Sequence, residues 1–102
     1  MKKAVQIDER DNVATATSDF EEGEAVEVLS PEGIIIMRPE TSDSIPFGHK
    51  VALVDLDKGE NVVKYGEIIG VASRRISAGE WVHTNNVESA TVPTSAYKGD
   101  SS

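Results

Sequence analysis

The sequence predicts a compact all-β domain of short strands, with at most single helical turns. Three observations lead to this prediction. Short apolar, β-branched runs are separated by Gly, Pro, Asp and Asn, which are turn-forming residues. One glycine-containing motif occurs three times along the chain. Apolar residues almost nowhere recur at the spacing of three or four residues that an amphipathic helix requires.

The repeated motif is apolar-x-x-Gly-Glu-x-Val, and its copies span Phe20–Val26, Leu56–Val62 and Ile76–Val82. The apolar residue would anchor a turn to the core, and glycine can take a positive φ there at little steric cost. The chain would then leave as a strand with Val facing inward. Three such corners at uneven intervals predict a pseudo-symmetric β fold rather than a solenoid, which needs a fixed period.

The strand pattern can be followed through the whole chain. The run 68–72 is apolar throughout, so it is predicted to be buried on both faces. Single helical turns could form only around 18–22 or near Pro46. The sequence divides into one domain, 1–88, and a flexible C-terminal tail, 89–102, which is rich in small and polar residues. The predicted strands are 4–7, 13–17, 26–29, 34–37, 51–56, 62–65 and 68–72, followed by the stretch 81–87.

Composition narrows the functional classes. The chain has 102 residues, with 18 acidic and 10 basic side chains and a formal charge of −8. Such a charge repels nucleic acid phosphates and anionic lipids, so neither nucleic acid nor a membrane is predicted as a partner. Cysteine is absent, which excludes disulfides and thiolate metal sites. Met1-Lys2-Lys3 is not followed by an apolar run of signal-peptide length, and a cytoplasmic location is predicted.

His49 and His83 are the only imidazoles, and they are the candidate catalytic residues. The glycine corners are expected to fold the chain so that both rings emerge together on one surface, which another polypeptide would cover. Each could hydrogen-bond a carboxylate or hydroxyl, or act as an acid or base near neutral pH. An isolated histidine can equally be structural or simply solvent-facing. Two histidines without a clear carboxylate partner make a poor metal site, so no metal is assigned to this chain.

Four other residues are candidates for substrate binding. Lys50 and Arg74 could pair with an anionic sugar acid, or they could be solvated charges on strand edges. Asn85 and Asn86 offer amide donors and acceptors for hydroxyl groups, although Asn also suits a turn. For each of these residues the binding role and the structural role remain open from sequence alone.

The stretch Ile45–Asn86 contains Ile-Pro-Phe-Gly-His-Lys-Val-Ala-Leu, then Lys-Gly-Glu, then Val-Lys-Tyr-Gly-Glu-Ile-Ile-Gly, then Gly-Glu-Trp-Val-His-Thr-x-Asn. This order resembles the small N-terminal domain of the altronate and galactarate dehydratase family, and the resemblance extends over about Lys3–Val87. It implies the SAF group of domains and the β-clip fold. The family pattern often ends Val-His-x-His-Asn, whereas the second histidine position is Asn85 here, which removes a possible imidazole.

The resemblance implies a function for the chain as a small subunit of a sugar-acid dehydratase. It would help to form the substrate pocket of a larger catalytic subunit, which would carry a divalent metal, iron, and most of the chemistry. The sugar acid and the large subunit are thus the expected partners, and the chain alone should be inactive. Two alternatives remain: the small subunit of an enzyme like sulfolactate sulfo-lyase, and a non-catalytic module that binds a sugar acid or a protein.

Overall fold

The computed structural model describes residues 1–89, so the predicted tail lies outside the described residues except for Ser89. Within this range the chain forms strands, bridges and turns and no helix, which confirms the all-β prediction. No helical turn forms around 18–22 or near Pro46, the two places where the sequence allowed one. The strands are β1 Lys3–Val5, β2 Val13–Ala16, β3 Glu27–Leu29, β4 Ile35–Met37, β5 Lys50–Ala52, β6 Asn61–Lys64, β7 Glu67–Ala72, β8 Trp81–Val82 and β9 Val87–Glu88.

The strands form two sheets. The larger has six strands in the order β4-β3-β1-β2-β5-β8, and the smaller has three in the order β6-β7-β9. Neighbouring strands are antiparallel except β1 and β3, which are parallel. Strands β5 and β8 therefore lie at one edge of the larger sheet, and β4 lies at the opposite edge.

The three predicted glycine corners form as expected. Gly23, Gly59 and Gly79 have φ values of 81°, 91° and 92°. In each corner the residue after glycine donates its backbone N–H to the carbonyl three residues earlier, which closes a β-turn with glycine at its third position. The side chain of that same residue, a glutamate, accepts the N–H of the first turn residue. For Glu60 this bond to the Asp57 N–H measures 2.7 Å.

A fourth corner, Ile45–Val51, has the same backbone but a different side chain. Gly48 has a φ of 85°, and the His49 N–H donates to the Pro46 carbonyl at 3.0 Å. His49 occupies the position that glutamate holds in the other three corners. The first turn residue here is proline, which has no N–H for a carboxylate to accept. This corner does not match the repeated motif, because histidine replaces the glutamate that follows glycine.

The four corners pair into two pseudo-equivalent halves. Phe20 and Ile45 exchange backbone hydrogen bonds in the first half, and Leu56 and Ile76 do so in the second. Each half encloses its own buried apolar cluster, built around the leading apolar residues and the inward valines of its two corners. The first cluster includes Phe20, Val26, Ile45 and Val51, and the second includes Leu56, Val62, Ile76 and Val82. The inward valines and the pseudo-symmetry agree with the prediction.

The predicted burial of 68–72 on both faces is wrong. Ile68 and Ile69 are 54% and 40% exposed. The register of β6 against β7 shifts between Val62 and Val63, so β7 carries one extra residue there, a β-bulge. A bulge interrupts the alternation of faces, and both isoleucines therefore face outward. Only Gly70 and Ala72 of this run are buried.

Candidate functional site

Pairing of β5 with β8 builds the candidate site. Lys50 lies opposite Val82, and Val51 lies opposite Trp81. This register brings His49, at the corner before β5, to the end of β8 beside His83, although 34 residues separate the two histidines in the sequence. His83 follows β8 directly. The predicted meeting of the two imidazoles on one surface is what the structure shows.

Trp81 contacts both imidazoles. Its ring is stacked on that of His83, with centroids 4.0 Å apart and planes 18° apart. The His49 ring meets the same indole edge-on, at 5.4 Å and 85°. Such contacts restrict ring orientation, because aromatic pairs favour stacked or T-shaped geometry. One indole thus holds both candidate catalytic rings in defined positions.

An open cleft of about 580 Å³ runs along these side chains. Its apolar wall includes Trp81 and Ile69, and its polar groups include the two histidines, one lysine, one carboxylate and two hydroxyl groups. A few converging polar groups on an apolar wall are typical of small-molecule sites. The side chains that line the cleft include those of His49, Lys50, Ile69, Trp81, His83 and Glu88.

Lys50 is the cationic group of the cleft. Partial burial lowers the pKa of its ammonium, and the nearby charge of Lys64 lowers it further, while Tyr65 acts in the opposite direction. Within residues 1–89, Lys50 forms no ion pair, whereas six other basic side chains do so. A half-buried, unpaired lysine in a chain of charge −8 is available to an anionic ligand.

Asn86 stabilises the backbone that carries Trp81 and His83. It is fully buried, and its Oδ1 accepts the His83 N–H at 2.8 Å while its Nδ2 donates to the Trp81 carbonyl at 2.7 Å. Its backbone N–H donates to the His83 carbonyl at 3.0 Å. The Asn86 side chain therefore fixes the turn that presents both rings, and it faces the interior rather than the cleft.

Two predicted binding residues lie apart from the cleft lining. Arg74 forms an ion pair with Glu80 at 3.0 Å and also donates to the Arg75 carbonyl. Asn85 is exposed in the turn after His83. The structure thus brings together His49, His83 and Lys50, and it leaves Arg74 and Asn85 outside this group.

Sequence reasoning missed Trp81, Ile69 and Glu88 as cleft residues. A signal for Trp81 was present, because Trp81 and His83 are two residues apart and share one face of an extended segment. Ile69 and Glu88 reach the cleft through the pairing of β7 with β9, where Val71 lies opposite Glu88. Such a long-range register has no local sequence signal.

No group of three or more His, Cys, Asp or Glu side chains within 1–89 is close enough together to hold a metal ion. The two cleft histidines thus lack a third ligand from this part of the chain. The same range contains no helix of the length and apolarity needed to cross a membrane.

Comparison with known proteins connects this site to a family. Residues 2–90 match the profile of the altronate/galactarate dehydratase SAF domain. Altronate dehydratase of Bacillus subtilis (strain 168) is 40% identical over 88 residues, which are 86% of this chain and 16% of that protein. Altronate dehydratase of Escherichia coli (strain K12) is 42% identical over 82 residues, 80% of this chain and 15% of that enzyme.

A relative of another kind is much shorter. The (2R)-sulfolactate sulfo-lyase subunit alpha of Chromohalobacter salexigens is 47% identical over 49 residues, which are 48% of this chain and 52% of that subunit. The chain therefore spans only a small part of the dehydratases that it matches, but about half of this subunit.

Proposed function

Because this chain belongs to the altronate/galactarate dehydratase SAF domain family, we propose that it is the small subunit of a sugar-acid dehydratase. In this role it supplies one wall of the substrate pocket, and a larger, metal-bearing catalytic subunit supplies the rest. The observation that carries the proposal is the convergence of His49, His83 and Lys50 on one open cleft.

Lys50 is the proposed carboxylate anchor. Its ammonium has no ion-pair partner among the described residues, and partial burial strengthens its attraction for an anion. A sugar acid always carries a carboxylate, whatever the configuration of its hydroxyl groups. An ammonium binds that group as a point charge, so recognition of stereochemistry has to come from other groups of the pocket.

The two imidazoles are the proposed hydroxyl and proton-transfer groups. Loss of water from a sugar acid removes a proton from the carbon next to the carboxylate and a hydroxyl group from the following carbon. An imidazole can accept or donate a proton near neutral pH, so either ring suits one of these steps. His49 is exposed and meets Trp81 edge-on, whereas His83 is half-buried and stacked on the same indole.

The chain alone should not catalyse this reaction. Its cleft is open to solvent, and the described residues contain no cluster of metal ligands. A larger subunit would close the cleft and exclude water, which strengthens electrostatic contacts with the substrate. The steps proposed for this chain are binding, orientation and proton transfer, and the large subunit is proposed to hold the metal.

Titration of the ¹⁵N-labelled chain with altronate, galactarate and sulfolactate tests the proposal, first alone and then with the large dehydratase chain from the same cells. Shifts at His49, Lys50 and His83, together with dehydration only in the mixture, are the expected result. His49→Gln or His83→Gln should lower the rate of the mixture by about 10²–10⁴-fold. Dehydration by the isolated chain would contradict the division of labour.

A sulfolactate sulfo-lyase small subunit is the second candidate. It is favoured by the 47% identity to a sulfo-lyase subunit alpha, of which the match covers about half. The same mixture discriminates between the two, because a sulfo-lyase releases sulfite from sulfolactate and a dehydratase releases water from altronate or galactarate. Ligand shifts without turnover of any substrate would instead favour a non-catalytic binding module.

A further inference from the structure

The tip of the β6–β7 hairpin presents an unusual surface, made by Lys64, Tyr65, Ile68 and Ile69 and named here the hairpin surface. Tyr65 is 62% exposed, and Ile68 and Ile69 are 54% and 40% exposed. The bulge in β7 turns two consecutive isoleucines outward. Bulges of this kind commonly redirect side chains beside functional sites, and contiguous exposed apolar groups commonly mark contact surfaces.

The turn at the hairpin tip is not optimised for folding. Tyr65 has a φ of 59°, and Gly66 follows with a φ of 72°, as in a type I′ turn. Asn, Asp or Gly is favoured at the first of these positions, whereas an aromatic residue there is strained. Folding stability therefore does not explain the tyrosine, and its exposed ring is available for contact with another molecule.

The hairpin surface continues the wall of the cleft. Ile69 belongs to both, and it lines the cleft with His49 and Lys50. Tyr65 lies in the turn of the same hairpin, four residues before Ile69, so the hairpin tip adjoins this wall of the cleft. A polypeptide that covered the hairpin surface would therefore also close the cleft over its ligand.

The lysines around the hairpin surface indicate the chemistry of the surface that would bind it. Lys64 forms no ion pair within the described part of the chain, and its Nζ lies 4.8 Å from the centroid of the Tyr65 ring. Lys50 lies on the same side and is also unpaired. A complementary surface is therefore apolar at its centre and carries carboxylates at its margin.

From these observations we propose that the hairpin surface is the docking site of the large catalytic subunit. This inference rests on the proposed function and names the surface through which it operates. In the dehydratase relatives the matched part is only 14–16% of the protein, so this domain accompanies a much larger body of polypeptide. That body is the occupant to which the hairpin surface is assigned.

A second isoleucine surface in the same chain provides a matched control. Ile34, Ile35 and Ile36 are 63%, 41% and 47% exposed, and β4 also carries a register shift against β3. This strand lies at the edge of the six-stranded sheet opposite β8, away from the cleft. It matches the hairpin surface in apolar character but lacks its connection to the cleft.

Site-specific photo-crosslinking tests the proposal. The full chain is expressed in its own cells with p-benzoylphenylalanine in place of Ile68 or, as the control, in place of Ile35. Mass spectrometry identifies the crosslinked protein. The expected result is crosslinking of a polypeptide that carries the large part of a dehydratase from position 68 and not from position 35.

The alternative outcomes separate the two proposals. Crosslinking of the dehydratase chain from position 35 alone would overturn the docking surface and leave the proposed function intact. Capture of a second copy of this chain from position 68 would overturn the docking surface as well. Failure of both positions to reach any dehydratase chain, combined with no effect of added large chain on activity, would overturn both.

A binding measurement provides the quantitative test. With the identified large chain, Ile68→Glu should weaken association by at least about tenfold, because it places a carboxylate in an apolar contact that itself carries carboxylates at its margin. Ile35→Glu should change association by less than about twofold. Both residues are exposed, so both variants should fold, and circular dichroism checks this. Equal weakening by the two variants would contradict the assignment.

Discussion

Three corners of this domain carry glutamate after glycine, and one carries histidine. The backbones match, since Gly23, Gly59, Gly79 and Gly48 all have φ between 81° and 92°. The glutamates accept the N–H of the first turn residue and so contribute to the turn. His49 makes no such bond, because Pro46 has no N–H to offer. A proline at the first turn position therefore frees the side chain three residues later, at the position after glycine, from a structural role. That side chain is then available for binding or proton transfer.

The comparison also explains why an exposed histidine can lie in a rigid place. Its corner is anchored by the buried Ile45 and Val51, as the other corners are anchored by their own apolar pairs. Proline restricts the turn backbone even without a carboxylate bond. The His49 ring then extends from a fixed backbone toward Trp81. Preorganisation of this kind is what a binding or proton-transfer group needs.

The largest expected loss of stability follows substitution at Gly79, the corner glycine with the least space for a side chain. A Cβ added at Gly79 would meet the Glu40 carbonyl oxygen at 2.4 Å, whereas one added at Gly23 would meet nothing within 4 Å. Gly79→Ala should lower the free energy of unfolding by about 3 kcal/mol, from positive φ and backbone overlap together. Gly23→Ala should cost about 1 kcal/mol from φ alone. Urea denaturation measures both, and equal losses would show that crowding at Gly79 is unimportant.

The next effect separates the structural glutamates from the histidine. Glu80 accepts the Ser77 N–H at 2.9 Å and pairs with Arg74, so Glu80→Ala should lower stability by about 1 kcal/mol. His49→Ala should change stability by about 0.5 kcal/mol or less, because the residue is exposed and caps no turn. The same variant should lower the rate of the assembled enzyme. Thermal melts measure stability, and a loss for His49→Ala as large as that for Glu80→Ala would refute the distinction.

Conversion of one corner type into the other sharpens the comparison. The double variant Pro46→Ser with His49→Glu restores an N–H and a carboxylate, as in the corner at Ser77-Ala78-Gly79-Glu80. The new hydrogen bond and the lost proline restriction offset each other, so stability should change by no more than about 0.5 kcal/mol. Ligand shifts in the cleft should disappear. Retained sugar-acid binding in this folded variant would exclude a role for His49 in recognition.

The smallest expected effect on stability is at Lys50. Burial lowers the pKa of its ammonium below the ordinary 10.5, so folding disfavours the charged form at neutral pH. This unfavourable contribution diminishes as the pH rises through the lowered pKa toward 10.5. Lys50→Met should therefore raise stability at pH 7, by about 0.5 kcal/mol or less, since the side chain is only partly buried.

The same variant has an opposite effect on ligand binding. Lys50→Met should weaken sugar-acid binding, whereas Lys58→Met, at an exposed position in the corner at Gly59, should leave it unchanged. Denaturation at pH 7 and pH 10 checks the stability claim, because the difference between the wild type and the Met variant should shrink at the higher pH. Unaltered binding in Lys50→Met would remove the lysine from the proposed carboxylate site.

Local patterns accounted for much of the fold. Strand positions and three of the four corners follow from residues a few positions apart, because positive φ favours glycine and an inward position favours valine. The fourth corner does not match the motif, because the need for glutamate depends on the first turn residue three positions earlier, which is proline here. The burial of Ile68 and Ile69 was misjudged because a bulge reverses the face of a strand without any marker in its composition.

Part of the candidate site can be predicted from the sequence. The scarcity of histidine in the sequence singles out His49 and His83, and the glycine corners predict that the two rings meet on one surface, although the strand pairing that brings them together has no local signal. Lys50 was one of two basic candidates, and its lack of an ion pair within residues 1–89 depends on where the carboxylates of that range lie in the fold. Asn86 was expected to bind substrate, but both ends of its amide bond to the turn that holds His83 and Trp81.

Turn chemistry, strand alternation and net charge could be deduced from the chain alone, because each depends on groups that are close in sequence or on a simple sum. The cleft could not, because it depends on which strands pair and in which register. The pairing of β5 with β8 and of β7 with β9 is selected by the packing of both cores together. Long-range pairing of this kind places two imidazoles, an indole and a lysine ammonium on one surface.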